Sequence, residues 1–417
     1  MARQSLLAAA LAAVLLAGCA GAPGRPGASH EHWVASWGTA QMVPGAEHVL
    51  APAQWRDATL RQVLRVSLGG ERLRVRFSNV FSTEPLVLKG ASVALSSGPG
   101  RSTIDPASSR PLRFGGAASV TIPAGAEYLS DPVDLVHAAG SDLAVSVHYP
   151  AAPSRQTSHP GARATSFIAP GQHLAAAELP QASSFTRWYQ LAGIEVQAAP
   201  GAHAVVAIGD SITDGYGVAP DTNLRWTDSL ASRLRQAGMT GVGVVNAGIG
   251  GGRLLRDGLG PNLASRFERD VLARPGVRHA IVLIGVNDFG GLHRSGQDSP
   301  AARAQLLLDM KEALRQSAAR AQARGVCVIG ATITPYAGSE YYHPKAPNEQ
   351  DRLAYNDWIR RSGVFDGVID FDAALRDPAR PDHLLKAYDN DGLHPNMAGY
   401  RAMAEAVPLD LLKDCRR

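Results

Sequence analysis

Cysteine is scarce, with three residues in 417, which excludes a small scaffold held together by disulfides. Long apolar runs are missing too. The N-terminal run from Leu6 to Ala17 is 12 residues, short of the roughly 20 that a helix needs to span a bilayer. No charge sign dominates: 41 Lys and Arg against 37 Asp and Glu leave +4, interspersed without a long basic stretch, which argues against a dedicated nucleic-acid surface. There is no internal repeat, and no low-complexity tract beyond residues 20–29. What is present is ordinary globular material: 45% apolar and 19% charged residues permit a sizeable core and exclude a disordered chain. The 43 Gly and 27 Pro predict many turns, as in a chain with a large β portion.

The first residues, MARQSLLAAALAAVLLAGC, place Arg3 ahead of the short apolar run, the pattern of a signal peptide. Leu16, Ala17, Gly18 and Cys19 resemble the bacterial lipobox, in which the cysteine becomes the lipidated first residue of the mature protein. This divides the chain into a signal peptide, 1–18, a Pro- and Gly-rich flexible tether, 19–30, and a folded body tied to the cell envelope by a lipid on Cys19, with the outer membrane favoured. If Cys19 is incidental, the body is periplasmic or secreted. Cys327 and Cys415 remain as the thiols of that body. Cys327 sits in the apolar run Val326 to Ile329, so a buried, inert thiol is expected ahead of a bridge to Cys415.

From residue 31 to 198 short β-type runs are broken by turn residues, for example Leu60 to Val66, Leu73 to Phe77, Ser92 to Leu95, Ser119 to Ile122 and Leu143 to Tyr149. Residues 72–77 alternate polar and apolar, giving a strand one wet and one buried face. This predicts an antiparallel β-sandwich, with Pro150 to Ala164 as a long irregular connection. From 199 to 417 the pattern changes. Ala204 to Ile208, Val242 to Asn246, Ala280 to Ile284, Val326 to Ala331 and Val368 to Phe371 read as strands buried on both faces. Amphipathic stretches separate them, one opening with Ser299 as N-cap and Pro300 at the first helical position and running to about Gln322. Five such units predict an α/β fold, a flavodoxin-like doubly wound parallel sheet with its crevice at the carboxyl ends of the strands.

Those strand ends carry the chemistry. Gly209, Asp210, Ser211, Ile212 and Thr213 put a serine where the chain leaves the first strand, and a hydroxyl becomes a nucleophile only when a base takes its proton. The last loop offers that base: Asp391, Gly392, Leu393, His394 and Pro395 fix a histidine at a helix entrance with a carboxylate three residues earlier to orient it. Asn246 to Gly252 after the second strand and Gly285 to Asp288 after the third offer backbone and asparagine N–H groups for a developing oxyanion.

The blocks GDSIT, NAGIGGG, GVND and DGLHP, in this order and spacing across residues 203–410, resemble the four blocks of the SGNH (GDSL) hydrolases. The resemblance implies Ser211 as nucleophile and oxyanion-hole donor, Gly251 and Asn287 as further donors, His394 as base and then acid, and Asp391 as its orienter. Gly251 is taken over Gly248 and Gly250 only by alignment of a glycine run. The whole chain is also similar to exported esterases of that family that carry an N-terminal β-sandwich, including acylhydrolases encoded near xylanases. It therefore implies a carboxylic ester hydrolase without metal or organic cofactor, acting on an ester substrate, with acetyl groups on a glycan first in line. Longer acyl esters, the substrates of lipases, phospholipases and arylesterases, are the alternative within the class. A non-catalytic glycan-binding or envelope-scaffold protein is the alternative outside it.

Rival motifs fail on their spacing. The glycine run has Arg253 where a dinucleotide fingerprint needs its third small residue, and no GxxxxGK[ST] or HExxH occurs. Asp389 and Asp391 begin like a calcium loop, but Leu393 occupies the next ligand position. Thr213 replaces the second glycine of GxSxG. Asp210, Asp214 and Asp288 are candidates for tuning the site or supporting turns, and Trp226 for core or pocket wall. Tyr336, Tyr341, Tyr342 and His343 read as an aromatic-bearing surface loop near the crevice mouth, with substrate contact the lesser expectation. His159, His279 and His383 read as structural or exposed.

Overall fold

The computed structural model describes residues 31–415. The export segment, Cys19 and the tether to residue 30 lie outside the described residues. From Trp33 onward the chain forms one compact unit.

Its first part holds two antiparallel sheets. One contains β1 (Trp33–Gly38), β3 (Gly70–Ser78) and β8 (Leu191–Gln197), with β8 between the other two. The other contains β2 (Ala58–Arg65), β4 (Gly90–Leu95), β5 (Asp142–Tyr149) and β7 (Ser166–Pro170), in the order β7, β2, β5, β4. In β3 the alternation read from the sequence is realised: Leu73, Val75 and Phe77 are fully buried while Arg72, Arg74 and Arg76 keep partial exposure. Those apolar side chains meet Leu60 and Leu64 of β2 and Val145 of β5 in a single core between the sheets. The connection from Pro150 to Ala164 is not wholly irregular: it contains the two-residue strand β6 (Ser158–His159), paired with Trp188 and Tyr189.

The second part is a five-stranded parallel sheet built from β9 (His203–Gly209), β10 (Val242–Gly248), β11 (Val277–Leu283), β12 (Cys327–Ala331) and β13 (Gly367–Ile369). The spatial order is β10, β9, β11, β12, β13, so the chain reverses its direction of travel at β9. In such sheets the ligand crevice opens at that reversal, beyond the carboxyl ends of the strands. Both faces are covered, which explains the unbroken apolar runs. Val206 and Ile208 pack with Met310, Leu314 and Ala318 of the helix Pro300–Gln322, whereas Val205 and Ala207 pack with Leu230 and Leu234 of the helix α2 (Trp226–Gln236), which also buries Trp226. The N-cap read at Ser299 is present, its side chain accepting from Ala302 N–H at 3.2 Å.

The two parts are joined along β10, the outer strand of the parallel sheet. Ser67 Oγ accepts from Val244 N–H at 2.8 Å and donates to Ser36 O on β1, and just before β11 Pro275 O accepts from Ala35 N–H at 2.9 Å. One expectation is corrected: Cys327 is buried, as its apolar run predicts, but it is not a free thiol. It is bonded to Cys415, 88 residues on, with Cα atoms 5.6 Å apart. The run foretells burial and carries no trace of a partner brought back by the C-terminal segment.

Candidate active site

Strand β9 ends at Gly209, and the chain turns at once into a one-turn helix, α1 (Ser211–Asp214). Asp210 is its N-cap, accepting from Ile212 N–H at 3.0 Å, which fixes the turn that lifts Ser211 into the crevice. Below the turn, the fully buried Arg266 donates to Gly209 O at 2.9 Å and Ala247 O at 2.7 Å, with Asp270 at 3.0 Å as its counter-ion. One guanidinium thereby ties together the ends of β9 and β10, the neighbouring strands that lead into Ser211 and the glycine run.

Ser211 Oγ and His394 Nε2 are 2.8 Å apart although 183 residues separate them. On the other side of the ring Nδ1 lies 2.9 Å from Asp391 Oδ2 and 3.2 Å from Oδ1. Asp391 also accepts the backbone N–H of Leu393 and His394, so it is anchored as well as paired. Burial works against its charge, but the His394 ring and these N–H groups outweigh it and hold the carboxyl down at about 2. An ionised Asp391 demands the tautomer with hydrogen on Nδ1, leaving Nε2 free to accept the serine proton. The exposed ring of Tyr216 packs against the imidazole, centroids 4.2 Å apart and 33° between planes.

Candidate donors for an oxyanion lie on the neighbouring strand-end loops, where Gly252 closes on Gly209 and Asp210. Within the glycine run, Gly248 N–H donates to Asn246 Oδ1 at 2.9 Å, Gly250 N–H to Asp214 Oδ2 at 3.0 Å and Gly252 N–H to Ile249 O at 2.9 Å. Gly251 N–H has no acceptor among the described residues, and its φ of +67° suits a residue without a Cβ. Asn287 opens the helix α3 (Val286–Arg294) after β11. One hydrogen of its amide goes to Gly252 O at 2.8 Å, leaving the second free, and its Oδ1 accepts from Tyr342 O–H at 2.7 Å. Those two bonds leave only one orientation of the amide.

Of the supporting acids, Asp288 accepts from Leu254 N–H at 2.9 Å and Leu255 N–H at 3.3 Å, pinning the chain just past the glycine run. Burial raises its carboxyl to about 6 and that of Asp210 to about 7. Asp214 faces His159 as well as Gly250. The loop after β12 departs from its reading as surface: Tyr336 and Tyr342 are buried, and Tyr341 alone of the three tyrosines is exposed. Sequence reading also missed Arg266, whose Asp270 four residues on looks like a solvent-facing helix pair, and Tyr216, which stands three residues past the GDSIT block with no feature to mark it.

A parallel sheet that presents a serine, histidine and aspartate in hydrogen-bonded sequence beside unpaired N–H donors has the site architecture of an acyl-transferring hydrolase. Residues 207–402 match the model of the GDSL-like lipase/acylhydrolase family. Similar solved structures include a GDSL-like lipase from Bacteroides thetaiotaomicron, at 18% identity and a TM-score of 0.39, covering 52% of this chain and 92% of that one. A variant of an acetyl xylan esterase from Geobacillus stearothermophilus is similar at 22% identity and a TM-score of 0.38, covering 52% of this chain and 97% of that one. No curated relative matches the chain.

Proposed function

We propose that the chain is an exported serine esterase that releases short acyl groups, acetate first, from a glycan through an acyl-enzyme. The observation that carries the ester chemistry is the continuous line Ser211, His394, Asp391, with contacts of 2.8 and 2.9 Å, next to an unpaired Gly251 N–H and the spare hydrogen of Asn287. Ser211 Oγ attacks the ester carbonyl as His394 Nε2 takes its proton. The oxyanion is held by the N–H groups of Ser211 and Gly251 and by Asn287 Nδ2. When the intermediate collapses, His394 returns the proton to the departing alcohol. The same ring then takes a proton from water, whose oxygen adds to the acyl carbon, and Ser211 leaves with its proton restored.

The glycan part of the reading is supported by Tyr216 and Tyr341, 45% and 59% exposed. Tyr216 lies against the catalytic imidazole, and Tyr341 packs on Tyr342, which holds Asn287. Exposed amphipathic rings suit the apolar faces and hydroxyl edges of sugars. The export reading is supported by the Cys19 motif and by the bond between Cys327 and Cys415, a linkage that persists in oxidising compartments.

Ser211→Ala abolishes hydrolysis of an aryl acetate in a folded protein and abolishes labelling by a fluorophosphonate; retention of either removes the mechanism. Acetate release from acetylated xylan is expected to exceed octanoate release from a simple ester, and the reverse order makes the protein a lipase-type enzyme. Cys19→Ser is expected to move the protein from membranes to the soluble fraction, and an unchanged distribution removes the lipid anchor.

A further inference from the structure

His159 belongs to the sandwich, on β6, yet it ends against the first turn of the catalytic half. It is 4% exposed. Nδ1 lies 2.8 Å from Ala40 O and Nε2 lies 3.0 Å from Asp214 Oδ1. A carbonyl oxygen only accepts, so Nδ1 carries a hydrogen, and the second contact then holds a further proton between ring and carboxylate. Asp214 hands the connection on. Its Oδ2 accepts from Gly250 N–H at 3.0 Å, while its own N–H is tied to Asp210 O at 2.9 Å. The peptide that follows Gly250 is the one whose N–H belongs to Gly251, the donor without an acceptor among the described residues. A shift of the Asp214 carboxylate therefore re-aims that N–H.

A separate feature says that this contact is built in. A Cβ on Gly161 would lie 2.1 Å from Asp214 Oδ2, so the segment of the sandwich after β6 closes over the carboxylate only because residue 161 has no side chain. Trp188 stacks on the other side of the histidine, with ring centroids 5.7 Å apart. His159 and Asp214 line a cavity of about 400 Å³ that none of Ser211, Asn287, Asp391 and His394 lines, so the pair stands apart from the substrate path.

We propose that His159 and Asp214 are positioning residues of the oxyanion hole, and that the sandwich thereby completes the catalytic site through the line Ala40, His159, Asp214, Gly250. The proposal rests on the acylhydrolase reading above. Removing the histidine leaves a buried carboxylate without its partner, free to rotate and release Gly250.

The test uses the full chain and an aryl acetate, with Ser211→Ala as control. His159→Phe, which keeps a ring against Trp188 and removes both donors, and Asp214→Ala are expected to lower kcat about 10- to 100-fold, below the loss of a whole donor, with KM within about twofold. Asp214→Asn is expected to stay within about fivefold of the parent. Its amide oxygen still accepts Gly250 N–H and its amide nitrogen donates to a neutral Nε2. Circular dichroism and urea denaturation establish that each variant is folded. If His159→Phe does not fold, Gly161→Ala takes its place, pushing the carboxylate from the sandwich side with the same expected loss. A folded variant with parental kcat overturns the proposal, and so does an Asp214→Asn variant as impaired as Asp214→Ala. Parental activity in Ser211→Ala removes the esterase reading and this proposal together; an inactive Ser211→Ala beside an unimpaired His159→Phe removes the proposal alone.

Discussion

The Tyr342 hydroxyl is the sharpest place to perturb the site without touching any reacting atom. Phenylalanine in its place keeps the buried ring and deletes one bond, the 2.7 Å donation to Asn287 Oδ1. The asparagine is then held by a single remaining contact, 2.8 Å from Nδ2 to Gly252 O. That contact still forbids a full flip, since it would bring two oxygens together, but it allows the amide to swing. Loss of a typical hydrogen bond is worth about 1 kcal/mol, so kcat for an aryl acetate should fall about fivefold, with KM little changed. Asn287→Ala, which deletes the donor, should cost about 100- to 1000-fold. The double variant should be no worse than Asn287→Ala alone, because the tyrosine acts only through the asparagine. Steady-state kinetics of the four proteins decide it. Additive losses in the double variant, or a Tyr342→Phe effect confined to KM, would refute the argument and place the hydroxyl on the substrate instead.

Three further outcomes follow from other parts of the molecule. Asp391→Asn should lower kcat by roughly 10³ to 10⁴, because an amide facing Nδ1 favours the tautomer with hydrogen on Nε2; a loss under tenfold would show that the ring is oriented by something else. Burial raises the Asp210 carboxyl from 3.8 to about 7, so the folded chain holds that proton more tightly than the unfolded one, and the stability it contributes is complete below pH 3.8 and lost as pH rises through 7. Asp210→Asn keeps the cap on Ile212 without the buried charge, so it should raise the unfolding free energy read from urea denaturation at about pH 8, by something on the order of 1–3 kcal/mol, and leave it unchanged near pH 4. An equal effect at both pH values would contradict the assignment. Reduction of the Cys327–Cys415 bond, which closes 88 residues of chain, should cost on the order of 2–4 kcal/mol, read as a lower melting temperature in dithiothreitol, and no shift would mean that the bond carries no stability.

Much of this was legible because its signal is local. The β9 run announces a strand covered on both faces, and the blocks at the strand ends hold the serine, the asparagine, the aspartate and the histidine that the fold brings together. Pattern alone could not supply the partners that bind one segment to another. His159 and Asp214 are 55 residues apart, Tyr342 and Asn287 likewise, and nothing near either member anticipates the other. Arg266 is the instructive case: with Asp270 four residues later it has the spacing of an exposed helix pair, and only the fold reveals that its guanidinium is spent on two strand-end carbonyls. Cys327 shows the same limit, its environment being readable and its partner not.

The seam at Ser67 and Val244 bears on how the catalytic half can exist. Backbone groups on the outer rim of a parallel sheet invite another chain to add itself there, and in this molecule a serine hydroxyl occupies one of those openings on β10. A fragment trimmed to begin near residue 200 would bare that rim together with the apolar flank under β1. Such a piece would tend to self-associate, and it would also lack the His159 contact to Asp214.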